Sequence, residues 1–274
     1  MKFSEMPYTR VDIDEVRQEF SAISDAFDQA GSGAEQFAVH QRYYTLTDHI
    51  MTQITIARIR HHIDMTDPFY AEENDYYDEI VPVMQKLEVD YQTKLYRSRF
   101  RPELEKIIGP VAFKNIELYM KSVDERILSL MQEEKHIESE YNQLLATAKI
   151  AWEGEQLNLS LMMPYLRNAD RGIRERAWKA HTAFFAEHMA AFDDLYDRLV
   201  KNRTAQAKAL GYENYLPLGD FRMRRNCYTR EDMRAFRTQV RSDLVPYTQE
   251  LHERRRKRLG VGRLSYIDEG HPSP

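Results

Sequence analysis

The sequence predicts a mainly α-helical protein: a lobe of long antiparallel helices with one small β-hairpin near residues 149–161. Three observations predict this fold class. Apolar residues recur every three or four positions over long stretches of the 274-residue chain, which is the spacing of amphipathic helices. Only ten Gly and ten Pro occur, so few positions break a helix. Strict alternation of apolar and polar residues occurs in one short stretch, which limits the expected β-structure to a single hairpin.

The first half of the chain shows helical periodicity interrupted by one acidic, aromatic segment. That segment, 67–79, is interpreted as a connector. Pro82 is expected to bend the helix that follows it or to mark the start of that helix, because proline lacks the backbone N–H that a helix interior uses. The periodicity predicts helices over 11–29, 34–62, 80–99, 102–122 (one helix or two) and 123–148.

The second half begins with the alternating stretch KIAWEGEQLNLSL, whose centre at Glu153-Gly154 predicts a hairpin turn. One long helix is expected to follow, starting near Asn168 as N-cap and ending at Gly211, a residue type common at helix C-termini. A domain boundary is predicted at the hairpin. It divides the chain into an N-terminal helical lobe, 1–148, and a region of hairpin and long helices, 149–274.

The last predicted helix starts at Thr229, where Asp232 three residues later forms a variant of the capping box. Pro246 is expected to kink this helix, and Gly260 is expected to end it. Its apolar residues recur at helical spacing and are expected to share one face: Met233, Phe236, Val240, Leu244, Tyr247 and Leu251.

The overall composition excludes several classes of function. The formal net charge is −5, whereas nucleic-acid-binding proteins usually carry a basic surface. No run of about 18 apolar residues occurs, so no membrane span is expected. A single cysteine rules out an internal disulfide framework. The sequence therefore predicts a cytoplasmic protein that binds neither nucleic acid nor membrane.

Glu133 and His136 have the Glu-x-x-His spacing that helical di-iron proteins use. Such a site needs a second Glu-x-x-His pair and two further Glu, and no second pair occurs. The acidic residues of this helix are therefore interpreted as a solvated face, because charged side chains are rarely buried. A carboxylate-bridged metal bundle remains a weaker alternative. The acidic residues are Glu133, Glu134, Glu138 and Glu140.

His252 and Glu253 begin a His-Glu-Arg-Arg-Arg sequence that resembles the start of the zinc motif His-Glu-x-x-His. The fifth residue is Arg256, so the second imidazole that zinc needs one helical turn further on is missing. His252 is interpreted as a surface residue on a basic helix end. No catalytic, cofactor-binding or metal-ligating residue is predicted within this chain.

Four other histidines were weighed as ligands. His181 and His188 lie seven residues apart on the aromatic side of a predicted helix. They are interpreted as histidines at the edge of the core, and contact with a metal or substrate group from another segment is the alternative. His61 and His62 close a predicted helix, where a positive charge is favourable in any case.

Two basic features near the C-terminus have structural explanations. The run ERRRKRLG, 253–260, ends a helix, where the macrodipole favours cations; a phosphate or membrane-surface ligand is the alternative. Cys227 follows Arg224 and Arg225 and is a candidate reactive thiol. No base lies near it in the sequence, so a nucleophilic role is not expected.

Five segments follow one another at characteristic spacing over roughly 115–274. They are IAWEGEQLNLSLM, LRNADRGIRERAWKAH, the corner ALGYENYLPLGDFRMRRNCY, LVPYTQELHERRRKRLG and LSYIDEGHPSP. Together they resemble the oligoendopeptidase F-type zinc peptidases, relatives of thimet oligopeptidase, and the match is weaker before them. Pro217, Asp220 and the basic RMRRNCY depart from the family pattern, which affects the expected geometry of the corner.

The resemblance implies the N-terminal part of a metalloendopeptidase that hydrolyses short unfolded peptides. In such enzymes two His and one Glu hold Zn, and the Glu inside His-Glu-x-x-His acts as general base. That motif is absent from these 274 residues and is expected beyond Pro274. The chain alone is therefore expected to bind no zinc and to be inactive. Its implied role is a wall of the substrate channel, with Tyr212 and Tyr215 as packing residues.

The partners implied are oligopeptide substrates and a missing C-terminal catalytic half. The alternative is a stand-alone helical module that binds peptides or a protein without catalysis. A fragment is expected to expose apolar helix faces meant for its missing half, and so to bind a hydrophobic dye or self-associate.

Overall fold

The computed structural model describes residues 2–269 and is mainly helical, as predicted. Strands β1 (Ile150–Trp152) and β2 (Glu155–Leu157) pair antiparallel as one hairpin. No helix in residues 2–269 combines the length and apolarity of a membrane span. The helices are α1 (Ile13–Gln29), α2 (Gly33–Ile63), α3 (Pro68–Arg97), α4 (Arg101–Ile108), α5 (Pro110–Met120), α6 (Leu128–Ala146), α7 (Met163–Leu166), α8 (Arg171–Glu187), α9 (Met189–Ala209), α10 (Tyr215–Arg222), α11 (Arg230–Gln239) and α12 (Val245–Leu259).

The connector predicted at 67–79 is wrong, because this segment forms the first half of α3. Asp67 caps the helix: its Oδ1 accepts hydrogen bonds from the backbone N–H of Phe69 at 2.9 Å and of Tyr70 at 3.4 Å. Pro68 occupies the first turn, where a missing N–H costs nothing. Pro82 therefore lies inside the helix and does not mark its start.

The acidic, aromatic composition of this segment is the basis for interpreting it as a connector, yet two of its acids are buried with partners. Glu73 is 1% exposed and accepts from the Arg10 Nε at 2.7 Å and from the Tyr8 hydroxyl. Asp78 is 3% exposed and accepts from the Ser139 hydroxyl at 2.5 Å. Paired carboxylates can be buried at an acceptable cost in free energy, so acid content alone did not identify a loop.

The described chain divides into two compact units, residues 2–140 with 197–226 and residues 141–196 with 227–269. The domain boundary predicted at 148/149 stays a prediction. In the first unit, buried aromatic rings join α1, α2 and α3: Tyr43 stacks on Tyr91 at 4.4 Å, and Phe27 meets Tyr91 edge-on at 5.6 Å. Such contacts add to the hydrophobic contribution of burial.

The second unit has its own core around the hairpin and α8, with Trp152 and Phe184 buried. A buried ion cluster joins α8 to the C-terminal segment. Arg171 and Arg174 donate to the Asp268 carboxylate at 3.0 and 3.1 Å, and Asp268 is fully buried. Although burial raises the pKa of Asp268, hydrogen bonds from Arg171 and from the Ser265 backbone hold that pKa below its usual value.

The single helix predicted from Asn168 to Gly211 is wrong, because the structure breaks it at His188 into α8 and α9. The His188 Nδ1–H donates to the Phe184 carbonyl oxygen at 2.8 Å, so the side chain competes with the backbone for this acceptor. The N-cap of α8 is Asp170, whose carboxylate accepts from the Gly172 backbone N–H at 2.7 Å.

The predicted capping box at Thr229 is confirmed. The Asp232 backbone N–H donates to the Thr229 hydroxyl at 3.2 Å, and the Thr229 backbone N–H donates to the Asp232 carboxylate at 2.7 Å. A π-helical turn, Val240–Leu244, precedes Pro246 in place of a simple kink. Gly260 ends α12 with φ of 65°, as predicted. No residue of α11, the π-helical turn or α12 is buried.

Candidate functional site

The structure does not assemble a metal site from Glu133 and His136. Glu133 accepts a hydrogen bond from the Asn202 side-chain amide at 2.8 Å, while His136 Nε2 lies 2.8 Å from the Glu79 carboxylate in an exposed pair. Within residues 2–269, no three His, Cys, Asp or Glu side chains converge as metal ligands. The described residues therefore do not fit the zinc ion that the resemblance implies.

The other histidines considered as ligands have separate environments. His181 is half-buried against Trp178, with ring centroids 5.3 Å apart, and burial lowers its pKa. His61 is buried, and burial together with neighbouring His62 lowers its pKa. His252 is exposed on α12. None of these residues belongs to a ligand cluster in the described part of the chain.

Part of the basic run on α12 is paired with the two acids of the same helix. Arg254 contacts Glu250 at 2.6 Å, and Arg256 contacts Glu253 at 2.7 Å. Arg255 donates instead to the Glu269 carbonyl oxygen at 2.8 Å. Cys227 is exposed. These contacts give the run a structural role at the helix end.

The acidic face of α6 is not simply solvated, which corrects the sequence prediction. Glu134 is 6% exposed and receives Arg203 at 2.6 Å, Arg222 at 3.0 Å and the Gln206 amide at 2.8 Å. Glu140 accepts both guanidinium nitrogens of Arg198 at 2.6 and 2.7 Å. The acids of α6 therefore hold α9 and α10, because each charge taken from water has an opposite charge in contact.

The pKa of Glu134 is lowered although the residue is buried, which shows that its partners outweigh burial. Burial raises the pKa of a carboxyl group, but Arg222, Arg203 and the Gln206 hydrogen bond hold the pKa of Glu134 below its ordinary value. Gln206 is fully buried and also donates to the Asn202 side-chain oxygen at 2.6 Å. The cluster is thus an ionised, hydrogen-bonded element of structure.

The corner ALGYENYLPLGDFRMRRNCY, one of the segments that carry the family resemblance, packs next to this cluster. The Tyr212 hydroxyl donates to the Lys121 carbonyl oxygen at 2.8 Å, and its ring packs against Phe221 at 5.6 Å. Asn214 caps α10 by accepting from the Leu216 backbone N–H at 3.0 Å. The Tyr215 ring lies beneath the Arg222 guanidinium at 5.9 Å. The aromatic corner thereby orients α10 and its arginine, Arg222.

Two cavities of the first unit lie beside the corner. The Glu134 cavity, of about 390 Å³, is lined by residues of α3, α6, α9 and α10 and includes Tyr215. The His40 cavity, of about 490 Å³, is lined mainly by residues of α2, α3 and α5. Both volumes fall in the ~300–1,000 Å³ range of small-ligand sites. The two cavities share four lining residues and so adjoin: Gln85, Tyr119, Lys135 and Arg224.

The shared wall carries a hydrogen-bonded carboxyl–phenol pair. The Tyr119 hydroxyl lies 3.1 Å from the Glu88 carboxylate. Burial raises the pKa of Glu88, and Arg224 only partly offsets that effect. Burial and the Glu88 charge together raise the pKa of Tyr119 well above that of an exposed phenol. The phenol proton is used within this pair, so what the pair offers a ligand is a neutral hydroxyl oxygen beside a carboxyl group with weakened acidity.

Two groups at these cavities can take a ligand: a buried imidazole nitrogen with no hydrogen-bond partner, and a guanidinium that forms no salt bridge within residues 2–269. His40 is 2% exposed; its Nδ1 lies 3.2 Å from the Tyr91 hydroxyl, and its Nε2 has no hydrogen-bond partner. Arg224 lines both cavities and has φ of 51°; it lies near enough to Glu88 to lower the pKa of that carboxyl group, but it forms no salt bridge with a described carboxylate. A non-glycine residue in this conformation is uncommon and clusters at functional sites.

The sequence predicts no site residue, and in it Arg224 stands out only as a neighbour of Cys227. A signal for His40 was present, because it lies one helical turn before Tyr43 on the apolar face of α2. No sequence pattern reports a positive φ at an arginine, since that conformation depends on the surrounding contacts. The arrangement can recognise an anion or a peptide group next to aromatic rings.

The comparisons define the class of protein. Residues 3–123 match the family model described as the Peptidase M3 N-terminal domain. A candidate oligoendopeptidase F from Bacillus anthracis str. Ames is 37% identical with a TM-score of 0.94, over 99% of this chain and 50% of its own. PZ peptidase A, solved with an inhibitor, is 38% identical with a TM-score of 0.95; the match covers 98% of this chain and 48% of the PZ peptidase A chain.

A further candidate oligoendopeptidase F is 39% identical with a TM-score of 0.95, over 99% of this chain and 48% of its own. Among curated protein sequences, none matches. The chain belongs to the oligoendopeptidase F-type peptidases of family M3, as their N-terminal portion. It spans about half the length of the solved chains it matches.

Proposed function

We propose that this chain is the N-terminal part of a zinc-dependent oligoendopeptidase that hydrolyses short unfolded peptides. The observation that supports this function is the likeness of the whole chain to about half of several oligoendopeptidase F chains, at 37–39% identity. The chain supplies a wall of the substrate channel, and the residues that hold zinc and activate water belong to the other half.

The first unit suits the task of a channel wall. The two adjoining cavities present aromatic rings, an ionised network and unpaired hydrogen-bonding groups, which is the mixture that fixes a peptide in place. Glu134 with Arg203 and Arg222 keeps α6, α9 and α10 in fixed register. A wall held in this way positions substrate, because ordered groups bind without first losing conformational entropy.

The second unit offers the surface for the other half. Helices α11 and α12 have no buried residue, and their apolar row is exposed, with Phe236 at 66% and Leu244 at 56%. Helices of a globular protein normally bury one apolar stripe. The occupant proposed for this row is the catalytic half of the same peptidase, since the relatives' chains are about twice as long.

The test is reconstitution. The purified chain is mixed with the separately produced remaining half of the Bacillus anthracis relative, and cleavage of a quenched fluorescent peptide is measured. We expect neither half to cleave alone and the mixture to cleave. Leu244→Asp is expected to abolish the reconstituted activity by charging the apolar row, whereas Gln239→Asp, an exposed polar position on the same stretch, retains it.

Zinc content provides the independent control. After dialysis, the chain alone is expected to retain far less than one zinc per molecule, because its described residues do not bring together a set of metal ligands. Stoichiometric zinc or peptide cleavage by the chain alone would contradict the assignment of catalysis to the other half. A mixture that binds peptide but never cleaves it would favour a stand-alone binding module instead.

A further inference from the structure

The strongest unassigned feature of the first unit is the cation at the wall shared by its two cavities. Five basic residues line the cavities, and four of them contact acids. These four pairs are Arg58 with Asp78 at 3.7 Å, Lys135 with Glu138 at 2.7 Å, Arg203 with Glu134 at 2.6 Å and Arg222 with Glu134 at 3.0 Å. Arg224 alone has no such pair among the described residues.

The loop that carries Arg224 is fixed by the two residues that follow it. Arg225 donates to the Asp220 carboxylate, and the Arg225 backbone N–H donates to the Asp220 carbonyl oxygen at 3.1 Å. The Asn226 amide lies 2.5 Å from the side-chain oxygen of Asn115, a residue of the His40 cavity. Arg224 therefore keeps φ at 51° because its neighbours hold the loop, and its side chain is placed at the cavities.

We propose that the His40 cavity binds the carboxyl-terminal residue of an oligopeptide, whose free carboxylate accepts hydrogen bonds from the Arg224 guanidinium. This inference rests on the proposed function and names the end of the substrate that the wall holds. A guanidinium that contacts no acid directly can take one carboxylate in a bidentate pair. A phosphate ester carries close to two negative charges at neutral pH, whereas Arg224 is the one basic residue lining this cavity that contacts no described acid.

The rest of the cavity suits the residue that carries this carboxylate. Tyr43, Tyr44 and Met51 supply aromatic and apolar contact. The Nε2 of buried His40 has no partner, so a peptide polar group or a water can satisfy it. Glu88 faces the same cavity, and burial weakens its acidity, which lessens the repulsion of an incoming carboxylate.

The test measures binding to the 274-residue chain by isothermal titration calorimetry. The probes are the tripeptide Ala-Ala-Phe, the same tripeptide with an amidated C-terminus, and free phenylalanine. We expect the acid tripeptide to bind about 10- to 100-fold more tightly than its amide, the range of a charge-assisted pair at a ligand carboxylate. Free phenylalanine is expected to bind more weakly than the tripeptide.

Two variants assign this preference to the guanidinium. Arg224→Gln removes the charge but leaves a non-glycine residue at a positive φ. Arg224→Gly also removes the charge, and glycine adopts a positive φ without strain. Both are expected to bind acid and amide equally. Arg17→Gln, on the exposed surface of α1, makes the same change in net charge and is expected to keep the preference. Circular dichroism confirms that each variant is folded.

Several results would overturn the inference. These are equal affinity for acid and amide in the unchanged chain, no binding up to about 10 mM peptide, equal affinity for free phenylalanine, or a preference that survives in Arg224→Gly. Each of them leaves reconstituted cleavage unaffected, so this inference and the proposed function can fail separately.

Discussion

His40 shows at the scale of one residue how the cavity wall is constrained. Its ring lies among Tyr43, Tyr44 and Tyr91, stacked on Tyr91 at 5.9 Å, and one of its nitrogens has no partner. Burial lowers the pKa of His40 to about 4, because the protonated ring would lose its hydration without gaining a nearby carboxylate. The imidazole is therefore neutral at physiological pH and contributes hydrogen bonding without charge.

The lowered pKa makes the stability of the chain depend on pH in a defined window. The unfolded chain protonates His40 below about pH 6.5, whereas the folded chain does so only near pH 4. The stabilising contribution is present above pH 6.5 and is lost as the pH falls towards 4. At pH 5 it amounts to a loss of about 2 kcal/mol in the free energy of unfolding.

Urea unfolding at pH 7.5 and pH 5 measures this loss. His61 and His181 also have lowered pKa values, so the informative quantity is the difference between the unchanged chain and His40→Asn. We expect that difference to shrink by about 2 kcal/mol at the lower pH. His49→Asn, an exposed histidine on the same helix, is the matched control and should show no such change. A pH-independent difference for His40→Asn contradicts the predicted protonation.

At the scale of elements, the sequence predicted what depends on local periodicity and capping. The stripe of α2, the capping box at Thr229 and the hairpin at Ile150–Leu157 follow from side-chain spacing and turn chemistry. Two misassignments, of the acidic segment 67–79 and of the acidic face of α6, occurred where a distant contact decided the outcome. Glu73 and Glu134 are buried because arginines from other segments reach them, and no local pattern contains that information.

The start of α3 gives a direct test of the corrected element. Asp67→Ala removes the side chain that accepts from the Phe69 and Tyr70 backbone N–H groups, and we expect a loss of about 1 kcal/mol in the free energy of unfolding. Asp75→Ala, at an exposed position in the same helix, should stay within about 0.5 kcal/mol of the unchanged chain. If the helix began near Pro82, both substitutions would be silent in urea unfolding.

At the scale of the whole molecule, the candidate site could not be predicted because it depends on how helices meet. The His40 cavity brings residues of α2, α3 and α5 to Arg224, which lies more than a hundred positions beyond α5's first residue in the sequence. The family and the expected role as a channel wall could be predicted, because the order of the motifs can be read from the sequence alone. Arg224 stands out as the one basic residue lining the two cavities without a direct acid contact only when the contacts of the other four are located in the structure.

The exposed row on α11 and α12 leads to the last prediction. Single exposed apolar residues are ordinary, but here a run of helix buries none of its residues while presenting Phe236, Leu244, Tyr247 and Leu251 at 41–66% exposure. A contiguous apolar surface of this kind binds hydrophobic dyes and promotes self-association. We expect the chain to enhance the fluorescence of anilinonaphthalene sulfonate and to sediment with concentration-dependent association.

Substitutions distinguish dye binding at this row from dye binding at other exposed apolar residues. The triple change Phe236→Ser, Leu244→Ser and Tyr247→Ser should lower dye fluorescence by more than half, because it removes most of the apolar area of the row. Phe69→Ser, a similarly exposed ring on α3, should change it little. Addition of the remaining half of the Bacillus anthracis relative should suppress the signal of the unchanged chain. Undiminished fluorescence in that mixture would mean that the other half does not cover this row, and the docking surface would have to lie elsewhere.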